Sequence, residues 1–340
     1  MKFKEKIRIV FISRRPRKFG NFSLEIYFKN IIQELSKENL EIKKITLPFT
    51  SDGIFNRLFN IIFCFFIQGD LYHLTGDINY VSLLLPKRKT ITTIPDCARA
   101  ASLNGLRKKL YIFLWLKIPV FKSKIITTIS QFSKDEIIKY TKCKDNKVEI
   151  LPVSLNPIFK RKEKLFNENK PRILQIGTQV NKNVERVIEA ISDVPCLFVI
   201  VGKLSEEVIN KLKFFNIQYL NFFNLTDDEL KEQYEMCDIV TFVSTIEGFG
   251  VPIIEANAIG RVVITSSISS MPEVANDSAL FVDPYSVKSI RLGILEVLND
   301  YKLREKLISN GFENSKKYDN KLIAFSHLDL YYKIFFNQGK

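Results

Sequence analysis

Short apolar runs alternate with longer stretches in which apolar residues recur at helical spacing, and this alternation continues along the whole chain. Strands covered on both faces give continuous apolar runs, so the pattern predicts parallel sheets in an α/β protein. Strands are predicted at 6–12, 40–47, 70–75, 89–94, 124–130 and 147–151, and then at 172–177, 196–202, 217–223, 238–244, 261–266 and 279–283.

Helices are predicted between these strands. The helical patterns cover 22–37, 54–67, 133–141, 183–192, 205–215, 226–236, 252–259 and the tail 286–337. Two helix starts have a capping-box pattern, in which Ser or Thr precedes Glu by three residues: Ser133 with Glu136, and Thr226 with Glu229.

The two strand–helix series predict two domains. A polar, basic stretch at 156–172 separates them and is predicted to be a linker. We expect two Rossmann-like, doubly wound domains facing a cleft, at 1–160 and 161–321, with a C-terminal helix at about 322–340 packing back on the first. Ligands of such sheets bind at the carboxyl ends of strands, where the strand order reverses.

Composition limits the class of protein. The chain has 340 residues, 46% of them apolar, which is enough for two cores. No signal peptide is recognised, and the apolar run 54–68 is interrupted by Asn and Arg, so a cytoplasmic protein is expected. Five scattered cysteines predict reduced thiols, and two histidines exclude a histidine-rich metal site.

The net charge of +14 is concentrated in a few clusters, which are 14-RRPRK-18, 87-KRK-89, 107-RKK-109 and 160-KRKEK-164. Such charge favours an anionic partner. No RNA-binding signature accompanies it, so an anionic membrane surface or lipid-linked substrate is favoured over nucleic acid. The alternative is a lysine-rich composition with solvated side chains. The helix near 55–67 is expected to pack its apolar face on the first sheet.

The stretch 247-EGFGVPIIE-255 carries the clearest chemical signal. Glu247 follows a strand, and the Gly-x-Gly after it lets the backbone approach a ligand closely. Pro252 suits a first helical turn, whose free N–H groups form an anion site. Glu255, expected in that same turn, is an acceptor suited to two vicinal hydroxyls. A nucleotide diphosphate sugar offers all of these partners.

The same stretch resembles the E-x7-E motif of retaining glycosyltransferases of family 4, which have the GT-B fold. Further resemblance lies in 174-LQIGTQVNKNVERVIEAI-191 and 261-RVVITSSISSMPEVANDSALFVDP-284. In the first half, 90-TITTIPDCARA-100 and 126-ITTISQFSKDEI-137 are similar to that family's acceptor-domain landmarks.

The resemblance implies roles for individual residues. Glu255 would bind the ribose diol, Glu247 the hydroxyls of the transferred sugar, and Lys182 the departing diphosphate. The donor-binding set is Gly177, Lys182, Glu247, Gly248, Phe249, Gly250, Glu255, Ser269 and Ser270, and the catalytic set is Glu247, Lys182 and Asp96.

Two departures from the family pattern stand in the first half. Pro95 replaces the histidine that usually precedes Asp96, so an imidazole contact to the sugar is lost. The first loop, where Gly20 and Asn21 are candidates for contacts to phosphate or acceptor, has one glycine instead of a pair.

The residues and the resemblance together predict a hexosyltransferase that moves a sugar from a nucleotide diphosphate to a glycan or lipid-linked acceptor. Retention of configuration, and a preference for GDP-mannose over UDP-sugars, are implied by the resemblance alone. No metal or cofactor is expected, because Asp-x-Asp is absent from the sequence. The first alternative is an inactive nucleotide-sugar-binding protein. An NAD-dependent oxidoreductase is less favoured, because this chain lacks the G-x-G-x-x-G motif of dinucleotide-binding folds.

Overall fold

The computed structural model describes residues 6–15 and 23–337, which form two compact units. One unit contains the described residues up to Ser154 and those from Asn320 onward, and the other is Leu155–Asp319. Each is built on a six-stranded parallel sheet, and every strand predicted from the sequence is present. The predicted α/β class with two Rossmann-like units is confirmed.

The sheet of the first unit has the order β2-β1-β3-β4-β5-β6. Its strands are β1 (Ile7–Ser13), β2 (Leu40–Thr46), β3 (Leu71–Thr75), β4 (Thr90–Thr93), β5 (Ile125–Thr128) and β6 (Val148–Ile150). In β1, Ile9, Val10 and Ile12 are completely buried, because successive side chains enter the cores on opposite faces of the sheet.

Six helices follow these strands before the chain enters the second unit. They are α1 (Ser23–Leu35), α2 (Ile54–Phe65), α3 (Ala98–Ser102), α4 (Gly105–Tyr111), α5 (Ile118–Lys122) and α6 (Gln131–Thr141). The segment Ile112–Lys117, between α4 and α5, has π-helical hydrogen bonding. The sequence did not predict α3 to α5, because several apolar residues there face solvent and give no core-facing periodicity.

One local prediction in this unit needs correction, and another is confirmed. Helix α6 begins at Gln131, and its N-cap is Ser130, whose hydroxyl accepts the N–H of Ser133 at 3.0 Å; Ser133 is therefore not the cap. Helix α2 buries Ile61 and Cys64 in the core, as expected, but its opposite apolar face is exposed.

The sheet of the second unit has the order β12-β11-β10-β7-β8-β9. Its strands are β7 (Arg172–Ile176), β8 (Leu197–Val201), β9 (Tyr219–Phe222), β10 (Ile239–Phe242), β11 (Val262–Ser266) and β12 (Ala279–Val282). The strand order reverses between β7 and β10, which is the position where such sheets bind ligands.

The helices of the second unit surround a large apolar core. They are α7 (Val184–Ala190), α8 (Glu206–Phe214), α9 (Asp227–Met236), α10 (Val251–Ile259), α11 (Met271–Ala275), α12 (Val287–Asn299) and α13 (Tyr301–Lys316). The capping box predicted for α9 is confirmed, because Thr226 and Glu229 each bond the other's backbone N–H.

The polar stretch 156–172 is not a free linker, because it packs on the second unit. The buried carboxylate of Asp238 accepts the backbone N–H groups of Asn167 and Arg172, at 3.1 and 2.7 Å. Phe159 is itself buried. The stretch is polar in composition because most side chains between residues 160 and 170 are exposed. The sequence placed the division at residue 160, whereas the compact units divide after Ser154.

The last helix, α14 (Asn320–Phe336), belongs to the first unit and packs on α1. A buried polar chain fixes it there. The Tyr27 hydroxyl lies 2.6 Å from Nε2 of His327, and the Tyr331 hydroxyl lies 2.7 Å from Nδ1 of His73. Nε2 of His73 in turn lies 2.8 Å from the hydroxyl of Thr93 on β4. Because all of these groups are buried, each depends on its partner.

Acid should destabilise the first unit through these two histidines. Burial lowers the pKa of His327 to about 3, and burial together with the nearby His327 lowers the pKa of His73 well below its ordinary value. The unfolded chain therefore binds more protons than the folded chain below about pH 6.5. The free energy of unfolding should be constant above that pH and fall by about 1.4 kcal/mol per histidine for each unit below it.

Denaturant unfolding followed by the fluorescence of Trp115, the single tryptophan, measures this unit. His327→Asn should lower stability at neutral pH and reduce the pH slope by about half, because one titrating group is removed. An unchanged slope in that variant would contradict the assignment.

Candidate active site

The site is built where two strands distant in sequence lie side by side. Strands β7 and β10 pair in parallel, with Ile173 opposite Ile239 and Gln175 opposite Thr241. Their carboxyl ends consequently meet at one edge of the sheet, and the loops that follow them emerge together.

The loop after β7 depends on a glycine. Gly177 has φ of 86°, and a Cβ there would lie 3.0 Å from Cγ and Cε of Lys182 and 3.1 Å from Oε1 of Gln179. The missing side chain therefore lets Lys182 fold back across the strand end. The Lys182 carbonyl is held by Nε2 of Gln175, at 3.1 Å.

Lys182 and Glu247 form an ion pair at this edge. The ammonium of Lys182 lies 2.7 Å from Oε1 of Glu247 and 4.6 Å from the centre of the Phe242 ring. Asn181 Nδ2 donates to the same carboxylate oxygen at 3.1 Å. Both charged side chains are 15% exposed, so water screens the pair only partly, although both still reach the surface.

The backbone around Glu247 is fixed by the two serines. The N–H of Glu247 donates to the Ser269 hydroxyl at 3.0 Å, and that hydroxyl lies 2.7 Å from the Glu247 carbonyl. The buried hydroxyl of Ser270 lies 3.0 Å from the same carbonyl and 2.7 Å from that of Phe249. The structure therefore gives Ser269 and Ser270 a positioning role behind the loop that carries Glu247.

Gly250 terminates this loop and caps α10. Its φ of 112° excludes most side chains, and a Cβ would lie 3.1 Å from Cδ1 of Ile253. The helix starts at Val251, so Pro252 stands in its first turn as predicted. Glu255 lies in the second turn, because the helix begins one residue before the predicted start.

Glu255 is the most strongly perturbed carboxyl of this region. Its side chain is 9% exposed, and the Tyr234 hydroxyl donates to Oε2 at 2.8 Å. Burial raises the pKa of Glu255 to about 7; the Tyr234 hydrogen bond opposes that rise, and the charge of Asp227 adds to it. The group therefore changes charge near neutral pH, which is typical of functional sites.

The remaining predicted residues lie elsewhere or are packed. Phe249 is buried, with its ring edge-on to Tyr318 at 5.5 Å. Asp96 follows β4 in the first unit, where its carboxylate accepts the N–H of Ala98 at 2.9 Å. That bond fits a turn-forming role, and a catalytic contact by Asp96 stays a prediction. Gly20 and Asn21 lie outside the described residues.

Sequence reasoning missed three residues that support the site. Asn181 holds the Glu247 carboxylate and also donates to the carbonyl of Ile246 at 3.0 Å. Gln175 fixes the Lys182 backbone, and Tyr234 bonds Glu255. Asn181 could have been found from the sequence because it directly precedes Lys182. Tyr234 could not, because it lies on α9 and no local motif connects it to Glu255 on α10.

Residues 158–314, within the second unit, match the family model described as glycosyl transferases group 1. The chain is 28% identical over 222 residues to O-antigen chain mannosyltransferase B of Escherichia coli, covering 58% of this chain and 57% of that protein. It is also 28% identical over 224 residues to the N,N'-diacetylbacillosaminyl-diphospho-undecaprenol alpha-1,3-N-acetylgalactosaminyltransferase of Campylobacter jejuni subsp. jejuni, covering 60% and 59%.

These matches thus span less than two thirds of either relative. A solved glycosyltransferase from Rickettsia africae is similar over 98% of this chain and 99% of its own, with a TM-score of 0.73 and 19% identity. That likeness shows the two-domain α/β fold, which is the GT-B class predicted from the sequence. The second unit is thus similar to glycosyl transferases group 1, and the whole chain has the fold of a solved glycosyltransferase.

The Lys182–Glu247 pair should stabilise the second unit. Lys182→Ala and Glu247→Ala should each lower the free energy of unfolding, and the double variant should lose less than their sum. The coupling should be about 1–3 kcal/mol, because the pair is mostly removed from water. Circular dichroism measures the unfolding.

The exposed pair of Lys316 and Glu313, on α13, is the matched control. Its coupling should stay below about 0.5 kcal/mol. Equal coupling in the two pairs would mean that Lys182 and Glu247 interact no more strongly than surface charges.

Proposed function

We propose that the protein is a glycosyltransferase that moves a hexose from a nucleotide diphosphate sugar to a glycan or lipid-linked acceptor. The observation that carries the proposal is the Lys182–Glu247 pair, placed where the carboxyl ends of β7 and β10 meet. The family match over residues 158–314 supports the same class of reaction.

The donor would be held by groups of opposite character. The diphosphate would lie against Lys182 and the N-terminus of α10, where the positive end of the helix dipole favours an anion. Glu247 would then exchange its bond to Lys182 for bonds to hydroxyls of the sugar. Glu255 would accept from the ribose diol. Gly177, Gly248 and Gly250, together with Phe249 in the same loop, would form the backbone of the donor site.

The reaction breaks the bond between the sugar's anomeric carbon and the diphosphate oxygen. The electron pair passes to the diphosphate, while the acceptor oxygen forms the new bond to the anomeric carbon and its proton passes to the departing diphosphate. Lys182 would stabilise the charge that grows on the leaving oxygen, which is electrostatic catalysis by a fixed donor. Retention of configuration, and a catalytic contact from Asp96, are part of the proposal on the strength of the family resemblance.

The donor and location follow the sequence predictions. GDP-mannose is the first donor to test, because relatives include a mannosyltransferase of O-antigen chains. A lipid-linked acceptor is suggested by a relative whose name includes diphospho-undecaprenol. We propose a role in polysaccharide biosynthesis at the inner face of the membrane, with the protein cytoplasmic and peripherally attached through basic residues, and with no nucleic-acid partner.

The direct test is release of nucleoside diphosphate from a panel of GDP- and UDP-sugars, with and without extracted glycolipids as acceptors. The wild type should consume one donor. Lys182→Ala should lower kcat more than it raises KM, because charge on the diphosphate grows in the transition state. Lys288→Ala, an exposed lysine on α12, is the control. If the protein binds a donor but turns it over with none of the acceptors, the alternative of an inactive nucleotide-sugar-binding protein would be favoured instead.

Glu255→Gln should weaken binding of the nucleoside diphosphate about 10- to 100-fold, because a charged acceptor for the ribose hydroxyls is lost. Wild-type affinity should also fall about tenfold for each pH unit below about 7, since a proton then competes for the buried carboxylate. The variant should lose this dependence.

Titration calorimetry across pH measures both effects. Glu296→Gln, an exposed residue on α12, serves as control and should bind like the wild type. A wild-type affinity for the nucleoside diphosphate that does not change with pH around pH 7 would contradict the proposed contact between Glu255 and the ribose.

Transfer should continue in EDTA. The proposal is that Lys182 and the start of α10 supply the counter-charge that a metal held by Asp-x-Asp would otherwise supply, and the sequence contains no Asp-x-Asp. Product should be measured by chromatography, so that no metal-dependent coupling enzyme is needed. Loss of transfer in EDTA, restored by Mg²⁺ or Mn²⁺, would overturn this part of the proposal.

A further inference from the structure

Helix α2 presents an apolar face to solvent. It buries Asn60, Ile61 and Cys64, which lie on one side. The other side carries large apolar residues: Phe55, Leu58, Phe59, Ile62, Phe63 and Phe66. Phe55 is 78% exposed and Phe66 is 75% exposed. A surface helix of a globular protein normally carries polar residues on that side, so this face is suited to another apolar phase.

The segment 105–121 repeats this feature. Leu106, Leu110 and Phe113, spaced as on one side of a helix, are 81%, 55% and 54% exposed. Phe121 follows at the end of α5 and is 67% exposed. These apolar residues explain why the periodicity of this segment does not point to the core.

Trp115 joins the two exposed elements. The guanidinium of Arg57 on α2 lies 4.7 Å from the centre of the Trp115 ring, and that ring stacks on Tyr111 at 5.8 Å. Nε1 of Trp115 donates to Asp77 at 3.1 Å, which fixes the ring. Helix α2 and segment 105–121 are therefore neighbours in the first unit, and we call their exposed apolar residues the docking surface.

The charge around the docking surface is positive. Residues 98–124 contain seven basic residues and no acidic one: Arg99, Arg107, Lys108, Lys109, Lys117, Lys122 and Lys124. Residues 53–69 contain Arg57 and no acidic residue. The ammonium of Lys87 lies 4.3 Å from the centre of the Phe121 ring. Aromatic and leucine side chains bordered by Lys and Arg are the pattern of helices that lie in the interface of an anionic bilayer.

We propose that the docking surface inserts into the interfacial layer of an anionic lipid bilayer, with the surrounding basic side chains against the headgroups. None of the helices within the described residues has both the length and the hydrophobicity needed to cross a membrane. The attachment that we propose is a shallow apolar insertion, which adds to the electrostatic contact of the proposed function. Membrane binding by the docking surface is independent of the proposed function. Only its role, which is access to a lipid-linked acceptor, rests on that function.

Trp115 allows the insertion to be measured directly, because it is the single tryptophan and belongs to this region. The full chain is mixed with vesicles of phosphatidylcholine and phosphatidylglycerol, some containing brominated acyl chains, which quench nearby tryptophan. Co-sedimentation and quenching should both be observed. Binding to pure phosphatidylcholine should be weaker, because the basic residues then find no anionic partner.

Two variants separate the two contributions. F55S/F66S should lower partitioning more than about tenfold on both kinds of vesicle and abolish quenching, because exposed aromatic area is lost. R107Q/K109Q should lower it about 25-fold on anionic vesicles, about fivefold for each residue, and leave neutral vesicles unchanged. Phe214→Ser, an 81% exposed aromatic residue on α8, is the matched control and should bind like the wild type.

Sedimentation without quenching, or undiminished binding of F55S/F66S, would overturn the proposal, because another face would then hold the lipid. A dimer in solution that F55S/F66S dissociates, with no vesicle binding by either protein, would also overturn it by making a second copy the occupant. F55S/F66S should keep the wild-type affinity for nucleoside diphosphate. If the proposed function were wrong and the docking surface correct, the wild-type protein would bind anionic vesicles but would bind no nucleoside diphosphate.

Discussion

The parallel pairing of β10 with β7 is the constraint on which the candidate site depends. It brings together loops whose key residues, Lys182 and Glu247, are 65 positions apart in sequence. The strands are paired by backbone hydrogen bonds and buried by apolar side chains, so the sheet fixes the relative position of the two loops without any contribution from the charged residues. The chemistry is therefore placed on a rigid element, as functional sites require.

The ion pair itself shows how the site is organised before a ligand arrives. Burying one charge alone would be costly, so Glu247 balances Lys182, and Asn181 occupies the carboxylate further. The serines behind the loop, Ser269 and Ser270, fix the Glu247 backbone. In the proposed mechanism, a diphosphate replaces the carboxylate as the partner of Lys182, and that exchange frees Glu247 for the sugar.

The sequence predicted the strands well, because continuous apolar runs are a local pattern that identifies buried strands. The Gly-x-Gly and Pro252 likewise predicted a loop followed by a helix start, which the structure places at Val251. The contact of this loop with a ligand stays a prediction. Contacts made through the fold left no such trace. Tyr234 meets Glu255 from another helix, and Asp238 turns the polar stretch 156–172 into part of the second unit. Helices α3 to α5 were missed because they are short and because several apolar residues of α4 and α5, such as Leu106, Leu110 and Phe121, face solvent.

If a nucleotide diphosphate binds at the carboxyl ends of β7 and β10, as proposed, it must change the backbone dynamics of the two loops that meet there. Hydrogen–deuterium exchange with and without the nucleotide measures this change, because bound ligand slows exchange only where it contacts or orders the backbone. New protection is expected in the loop from Gly177 to Lys182 and from Glu247 into the first turns of α10. Protection confined to other segments, with these two loops unchanged, would place the nucleotide elsewhere and contradict the proposed site.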